Sequence, residues 1–223
     1  MRTLYHMVTC PFSRTARLAL GEKKLEFDPI IENIWLEREE FIDLNSAGTL
    51  PVLVEESGLV VNELYPLMEY LEEAYQDTPK LFEGTAATRV EIRRLCVWMN
   101  TKFFNEVYQK LVWEKVLKRH YLKQWADSSI LREGTRSLKH HLQYLAILLE
   151  ERDWLAGRTL TMADLVAAAH LSCIDFIGYI SWEAHPVVKN WYACLKSRPS
   201  FRPLLLDHMT GVQPPSHYAD LDF

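Results

Sequence analysis

The chain has 223 residues, 48% of them hydrophobic and 25% charged, with a net charge of −5. That length allows one large domain or two small ones around a sizeable buried core. The acidic balance gives no reason to expect nucleic acid, no apolar run approaches a membrane span of about 18 residues, and Met1-Arg2-Thr3-Leu4-Tyr5 lacks the apolar stretch of a secretory signal.

Thr3 to Met7 alternates as a short strand, with Leu4 and His6 on one face and Tyr5 and Met7 on the other. Pro11 breaks it, and Ser13 is placed to cap a helix running through Arg17, Leu18 and Leu20 to Lys23. Glu26 to Ile31 reads as a second strand, followed by an irregular connection over 32–47 with one helical turn at Glu37 to Asp43. Pro51 to Val54 and Leu59 to Val61 are apolar and β-branched, and Glu55-Glu56-Ser57-Gly58 between them makes a hairpin turn. A helix from Glu63 to Tyr75 completes this half. After Gln76-Asp77-Thr78-Pro79 the strand signal disappears. Val90, Leu95, Trp98, Val107, Leu111 and Val112 recur at helical spacings, and further helices fit Ser137 to Arg152, Met162 to Gly178 and Pro186 to Ser197. The predicted architecture is α/β over residues 1–78, all-α over 86–205, and a tail over 206–223. Cys10, Cys96, Cys173 and Cys194 are scattered without a metal-type pair and read as reduced thiols of a cytoplasmic protein. His140 and His141 are adjacent, point in different directions around a helix, and make a poor metal pair, so no metal is expected.

Three segments are candidates for binding. The tail sets Tyr218, Leu221 and Phe223 among Asp220, Asp222 and the terminal carboxylate, beyond Pro214-Pro215 and the last helical pattern. With no core left to join, such a segment is either a frayed end or a docking peptide with apolar anchors among acids. Trp35, within Ile34-Trp35-Leu36, either packs under its connection or offers an aromatic anchor to another protein. Lys110, Lys115, Lys118, Arg119, His120 and Lys123, interleaved with Trp113 and Tyr121, form either a solvated helix end or a surface that steers an acidic partner.

Several local motifs resemble the glutathione-transferase superfamily, in which a thioredoxin-like domain precedes a helical one. Cys10-Pro11-Phe12-Ser13-Arg14-Thr15-Ala16-Arg17 is similar to its first strand-to-helix turn. Gly48-Thr49-Leu50-Pro51-Val52-Leu53 is similar to its G-x-V-P-x-L segment, whose proline is typically cis. Asn62-Glu63 with Tyr70-Leu71 is similar to its E-S-x-x-I-x-x-Y-L helix. Gly157-Arg158-Thr159-Leu160-Thr161-Met162-Ala163-Asp164 matches its G-x-x-x-[ST]-x-A-D motif, in which Thr161 caps a helix and Asp164 returns a bond to the cap. Trp191 and Arg198-Pro199-Ser200 complete a pattern common near the superfamily's end.

The resemblance implies a glutathione site around Cys10 and Ser13, and Cys10-Pro11-Phe12 is similar to the cysteine-using omega and glutaredoxin-like groups. A thiol at a helix N-terminus has a lowered pKa, so a mixed disulfide at Cys10 is the enzymatic reading; the alternative is that Cys10 or Ser13 merely finishes a strand or caps a helix. Leu64 stands where the superfamily has the serine that receives the γ-glutamyl carboxylate. The missing charge-assisted bond is worth about 1.5–3 kcal/mol. Asn45-Ser46-Ala47-Gly48 also lacks the usual proline. What is left is a degenerate pocket, with Leu50, Pro51 and Glu63 as its ligand-binding remnant and no cofactor expected.

The eroded motif together with His217-Tyr218-Ala219-Asp220-Leu221-Asp222-Phe223 resembles the FzlA family of FtsZ-binding glutathione-transferase-like proteins. That resemblance implies a non-enzymatic, homodimeric division factor that binds FtsZ filaments, promotes their curvature and bundling, and links them through its tail to septal cell-wall synthesis machinery, including FtsW. It implies a cytoplasmic protein at the division site, with no nucleic acid and no membrane insertion. Trp35, Lys115, Lys118 and Arg119 are then the expected filament contacts, and Tyr218, Asp220, Leu221, Asp222 and Phe223 the expected second-partner contacts. The rival expectations are a glutathione transferase or thiol reductase acting through Cys10, and an RNA-polymerase-associated adaptor similar to the stringent starvation proteins.

Overall fold

The computed structural model describes residues 1–221; Asp222 and Phe223 lie outside the described residues. A four-stranded sheet with order β2-β1-β3-β4 is built from β1 (Arg2–His6), β2 (Phe27–Ile31), β3 (Val52–Val54) and β4 (Val60–Asn62). β1 runs parallel to β2 and antiparallel to β3, which forms a hairpin with β4. Because side chains alternate across a sheet, Leu4, Leu53 and Val61 face α1 (Pro11–Glu22) and α3 (Leu64–Ala74). Tyr5 and Val52 face the opposite way, against Phe41 of α2 (Glu39–Leu44). The thioredoxin-like layering follows from this alternation.

The second half begins with one continuous helical rod: α4 (Ala86–Val97), a segment over Trp98–Leu117 wound in wide i→i+5 turns, and α5 (Lys118–Leu122). The wide winding sets the spacing of its faces. Phe104, Tyr108, Trp113 and Leu117, which line one cleft, recur every four to five residues. α6 (Ser128–Glu150) packs along the rod. It starts nine residues before the expected Ser137, because Asp127 caps it through the Ser129 N–H at 2.7 Å. Gly134 makes the approach possible: a Cβ there would lie 2.8 Å from Lys110 Cβ and 2.9 Å from Leu111 Cδ2.

α7 (Met162–Phe176) is buried along its entire length. It is the central post of the molecule, with α8 (Pro186–Lys196) and α9 (Arg202–Leu205) completing the helical half. Its first turn carries the expected cap: the Thr161 N–H and hydroxyl both donate to Asp164 Oδ2 at 2.9 Å. Asp164 Oδ1 also accepts from the Leu155 N–H at 2.9 Å and from Trp191 Nε1 at 3.1 Å. Four donors on a fully buried carboxylate explain why the motif and the distant tryptophan occur together. α1 packs on α7, so one hydrophobic core runs through both halves. Among the described residues, no helix is long and apolar enough to cross a membrane, and no group of His, Cys, Asp and Glu could hold a metal ion.

Candidate functional site

The cleft between the two halves, about 260 Å³, lies where β1 meets α1, where the Leu50-Pro51 bond is cis, and where α3 begins. Met7, Cys10, Phe12, Leu50, Tyr108 and Trp113 are among its lining residues. Glu63 is the one carboxylate in that lining, and no Lys, Arg or His contributes to it. A tripeptide with two carboxylates would meet an apolar wall and a like charge, without the cation that would offset its desolvation.

Of the residues expected to serve glutathione, Leu50 lines the cleft, Cys10 is buried, and Ser13 and Glu63 are engaged by neighbours. Cys10 precedes α1 and is 7% exposed. Burial pushes its thiol up, and hydrogen bonds from Ser13 and Phe12 offset this only in part. The helix N-terminus was expected to lower this pKa; desolvation wins because the sulfur sits beneath the cleft surface. Ser13 does not cap the helix. It lies fully buried in the first turn of α1, its hydroxyl accepting the Met7 N–H at 3.2 Å. Leu64 is 4% exposed and belongs to the core, so the hydroxyl of the motif has been replaced by packing. Glu63 is exposed at φ +69°, and its carboxylate accepts a hydrogen bond from the Thr49 hydroxyl.

At the mouth of the cleft stands an aromatic wall. Asn33 starts a short turn over Ile34–Leu36 by accepting the Trp35 N–H at 3.2 Å. The Trp35 ring stacks on Tyr121, with centroids 3.8 Å apart, and on Trp113 at 6.0 Å. The connection is therefore clamped to the helical half. Next in the chain to the stacked rings, Leu36 and Leu122 are exposed, and Trp125 is 80% exposed with the Arg119 guanidinium 5.0 Å from its ring centroid. Sequence reasoning passed over Leu122 and Trp125. The available signal was a tryptophan in the polar helix connection Lys123-Gln124-Trp125-Ala126-Asp127.

The basic stretch does not act as one patch. Lys118 pairs with Glu114 at 2.7 Å, and Glu114 also accepts the Asp127 N–H at 2.6 Å. Lys115 turns to Tyr179, its ammonium 4.4 Å from the ring centroid, and partial burial lowers its pKa. Arg119 lies over the exposed Trp125 ring.

The tail corrects the expectation that it has no core to join. Residues 216–218 form a helical turn, and Tyr218 is 1% exposed. Its hydroxyl donates to the Leu204 carbonyl at 3.1 Å and accepts from Arg14 Nη1 at 2.9 Å. Arg14, itself fully buried, also donates to the Val8 carbonyl at 2.7 Å and to Ser172 Oγ at 2.8 Å, and contacts Asp207 at 3.4 Å. Burial pushes the Tyr218 phenol up to about 12, with the Arg14 charge pulling the other way. The His217 ring meets Asp175 at 2.9 Å, and Lys196 Nζ donates to the His217 and Asp220 carbonyls at 3.0 and 2.5 Å. Tyr218 is thus an anchor within its own fold and is unavailable as a docking residue. Asp220 is exposed and Leu221 half-buried, whereas the expectations for Asp222 and Phe223 fall outside the described residues.

Sheet, cis proline, capped central helix and cleft together define a protein of the glutathione S-transferase class. Family models agree, the glutathione S-transferase N-terminal domain matching residues 9–74 and the C-terminal domain residues 111–199. FtsZ-localized protein A of Caulobacter vibrioides is 45% identical over 225 residues, which span 100% of this chain and 98% of that protein. The solved structure of FzlA from C. crescentus superposes with a TM-score of 0.97, covering 100% of this chain and 99% of the other. A glutathione S-transferase from Rhodospirillum rubrum F11, 48% identical, has a TM-score of 0.97 and covers both chains fully. The chain belongs to the FzlA family within the glutathione S-transferase superfamily.

Proposed function

We propose that this chain is a non-catalytic division factor that binds FtsZ filaments at the division site. The observation that carries this reading is full-length identity of 45% to FtsZ-localized protein A. A cleft that buries Cys10 as a thiol and offers no cation to a dicarboxylate supports it. The filament contact is the surface around Trp35, Leu36, Leu122 and Trp125, with Arg119 as its charge; aromatic and Arg side chains at the centre of an apolar patch carry most of the energy of such contacts. A homodimer would hold two such surfaces at a fixed angle, the arrangement needed to bundle filaments or impose curvature. The exposed Asp220 side of the docked tail is the proposed contact for septal cell-wall synthesis machinery such as FtsW.

Sedimentation of the purified chain with GTP-assembled FtsZ, in parallel with calorimetric titration of glutathione, tests the proposal. Polymer-dependent co-sedimentation without heat from millimolar glutathione is the expected result. Glutathione binding without co-sedimentation would instead establish the transferase reading through Cys10.

A further inference from the structure

A second groove, about 510 Å³, opens between the first half of α6 and Tyr179. Arg132, Arg136 and Lys139 follow one another at i, i+4 and i+7 along its rim, and all three are exposed. Half-buried Leu131, Thr135 and Tyr179, with exposed Ser128, contribute the rest of its lining. Tyr179 is presented by the turn that ends α7, where Gly178 takes φ +71°. Lys115, outside the lining itself, places its ammonium 4.4 Å from the Tyr179 ring centroid.

This concentration of positive charge is not consumed internally. Among the described residues, Arg132, Arg136, Lys139 and Lys115 have no ion-pair partner within 4.0 Å. Arg132 makes only a 3.4 Å contact with Ser128 Oγ. Of the acids flanking this segment in the chain, Glu133 pairs with Lys110, and Asp127 caps α6 through the Ser129 N–H and hydroxyl; Glu114 on the neighbouring rod pairs with Lys118. In a chain of net charge −5, three unpaired cations on the groove and a fourth over its Tyr179 ring form a focused positive site.

We propose that this groove binds an extended acidic peptide segment of a partner protein, separately from the surface around Trp35. The dimensions suit it. Seven helical steps separate the first rim cation from the last, about 10 Å, and carboxylates on alternate residues of an extended peptide recur about every 7 Å on one face. Two or three acids therefore align with Arg132, Arg136 and Lys139, while an intervening apolar side chain lies on Leu131 and Tyr179. The two rim arginines can each take a carboxylate bidentately. A long polyanion would overrun the groove and meet a chain that is negative overall, whereas a short peptide ends inside it. A membrane is also a poor occupant, since the groove is concave and its rim carries no apolar side chain to insert.

Fluorescence anisotropy of the full chain with a labelled hexapeptide alternating aspartate and leucine tests this. Binding should weaken steeply as salt rises from 50 to 300 mM, and the same peptide with asparagine for aspartate should not bind. R132E/R136E should weaken binding on the order of tenfold or more, since each exposed attraction becomes a repulsion. R132Q/R136Q should give an intermediate loss. Both double variants should keep the native thermal midpoint, and W35A and the distant R202E should bind as the native chain does. No binding of the acidic peptide, or equal binding by R132E/R136E, would overturn the assignment. So would tighter binding, through the same arginines, of a 20-nucleotide DNA strand or of phosphatidylglycerol vesicles.

Discussion

Replacing Tyr218 by phenylalanine separates an anchor from a docking residue. The substitution keeps the ring, and with it the contacts to Phe176, whose centroid is 5.3 Å away at 83°. It removes one oxygen. That oxygen accepts from a buried guanidinium and donates to the Leu204 carbonyl, and neither group has solvent to turn to. The bond to the charged group is worth about 1.5–3 kcal/mol and the neutral one about 0.5–1.5; Arg14 keeps the Val8 carbonyl, Ser172 and Asp207. The expected loss is therefore about 2–4 kcal/mol. For a chain of this length each kcal/mol moves the melting midpoint by about 2–4 °C, so the midpoint should fall by roughly 4–16 °C. Differential scanning calorimetry reads this directly, and FtsZ co-sedimentation below the new midpoint should be unchanged. A native midpoint accompanied by lost binding to septal cell-wall synthesis machinery would refute the reasoning and return Tyr218 to the docking surface.

Trp35→Ala removes two ring contacts, each worth about 0.5–1.5 kcal/mol beyond area burial, and should cost about 1–3 kcal/mol of stability in urea titration. Filament affinity, measured by co-sedimentation, should fall by about 2 kcal/mol or more, roughly thirtyfold. Cys10 should resist iodoacetamide at pH 7 in a Cys194→Ser background and react appreciably only under alkaline conditions, because burial favours the thiol; mass spectrometry of rapid alkylation at pH 7 would contradict this. His6 is held neutral, chiefly by burial with the Arg17 charge adding to it, and its pKa is lowered to about 4. Between that value and its unfolded value near 6.5, the unfolded chain binds a proton that the folded chain does not. Stability therefore rises with pH through this window and is lost as pH falls through it, by on the order of 3 kcal/mol. Urea titrations from pH 7 to 4 should show a shallower loss for His6→Leu than for the native chain.

Much of the cleft was legible before any coordinates. Proline after an apolar residue in Gly48-Thr49-Leu50-Pro51, leucine after glutamate at Glu63-Leu64, and the cap at Thr161 and Asp164 are local patterns whose consequences stay local. The start of α6 was not legible. Ser128, Ser129, Gly134 and Thr135 are weak helix formers, and what favours the helix is Gly134 lying flat against Lys110 and Leu111, a contact across 24 and 23 residues. The basic stretch misled for a related reason. Wide winding over Trp98–Leu117 shifts the faces of the rod, sending Lys115 to Tyr179 while Trp113 meets Trp35.

The sequence by itself determined the order of strands and helices, the two halves and the erosion of the glutathione motif, because periodicity, caps and single side-chain identities act over one or two turns. Only the tertiary structure decided that Tyr218 closes on Arg14 across 204 residues, that burial holds Cys10 toward its thiol form, and that three unpaired cations gather on one groove. Burial sets the first two outcomes, since a hydroxyl or a thiol takes its role from how much water it has lost and which distant group replaces that water, whereas the exposed cations meet because the fold brings α6 beside the turn that ends α7.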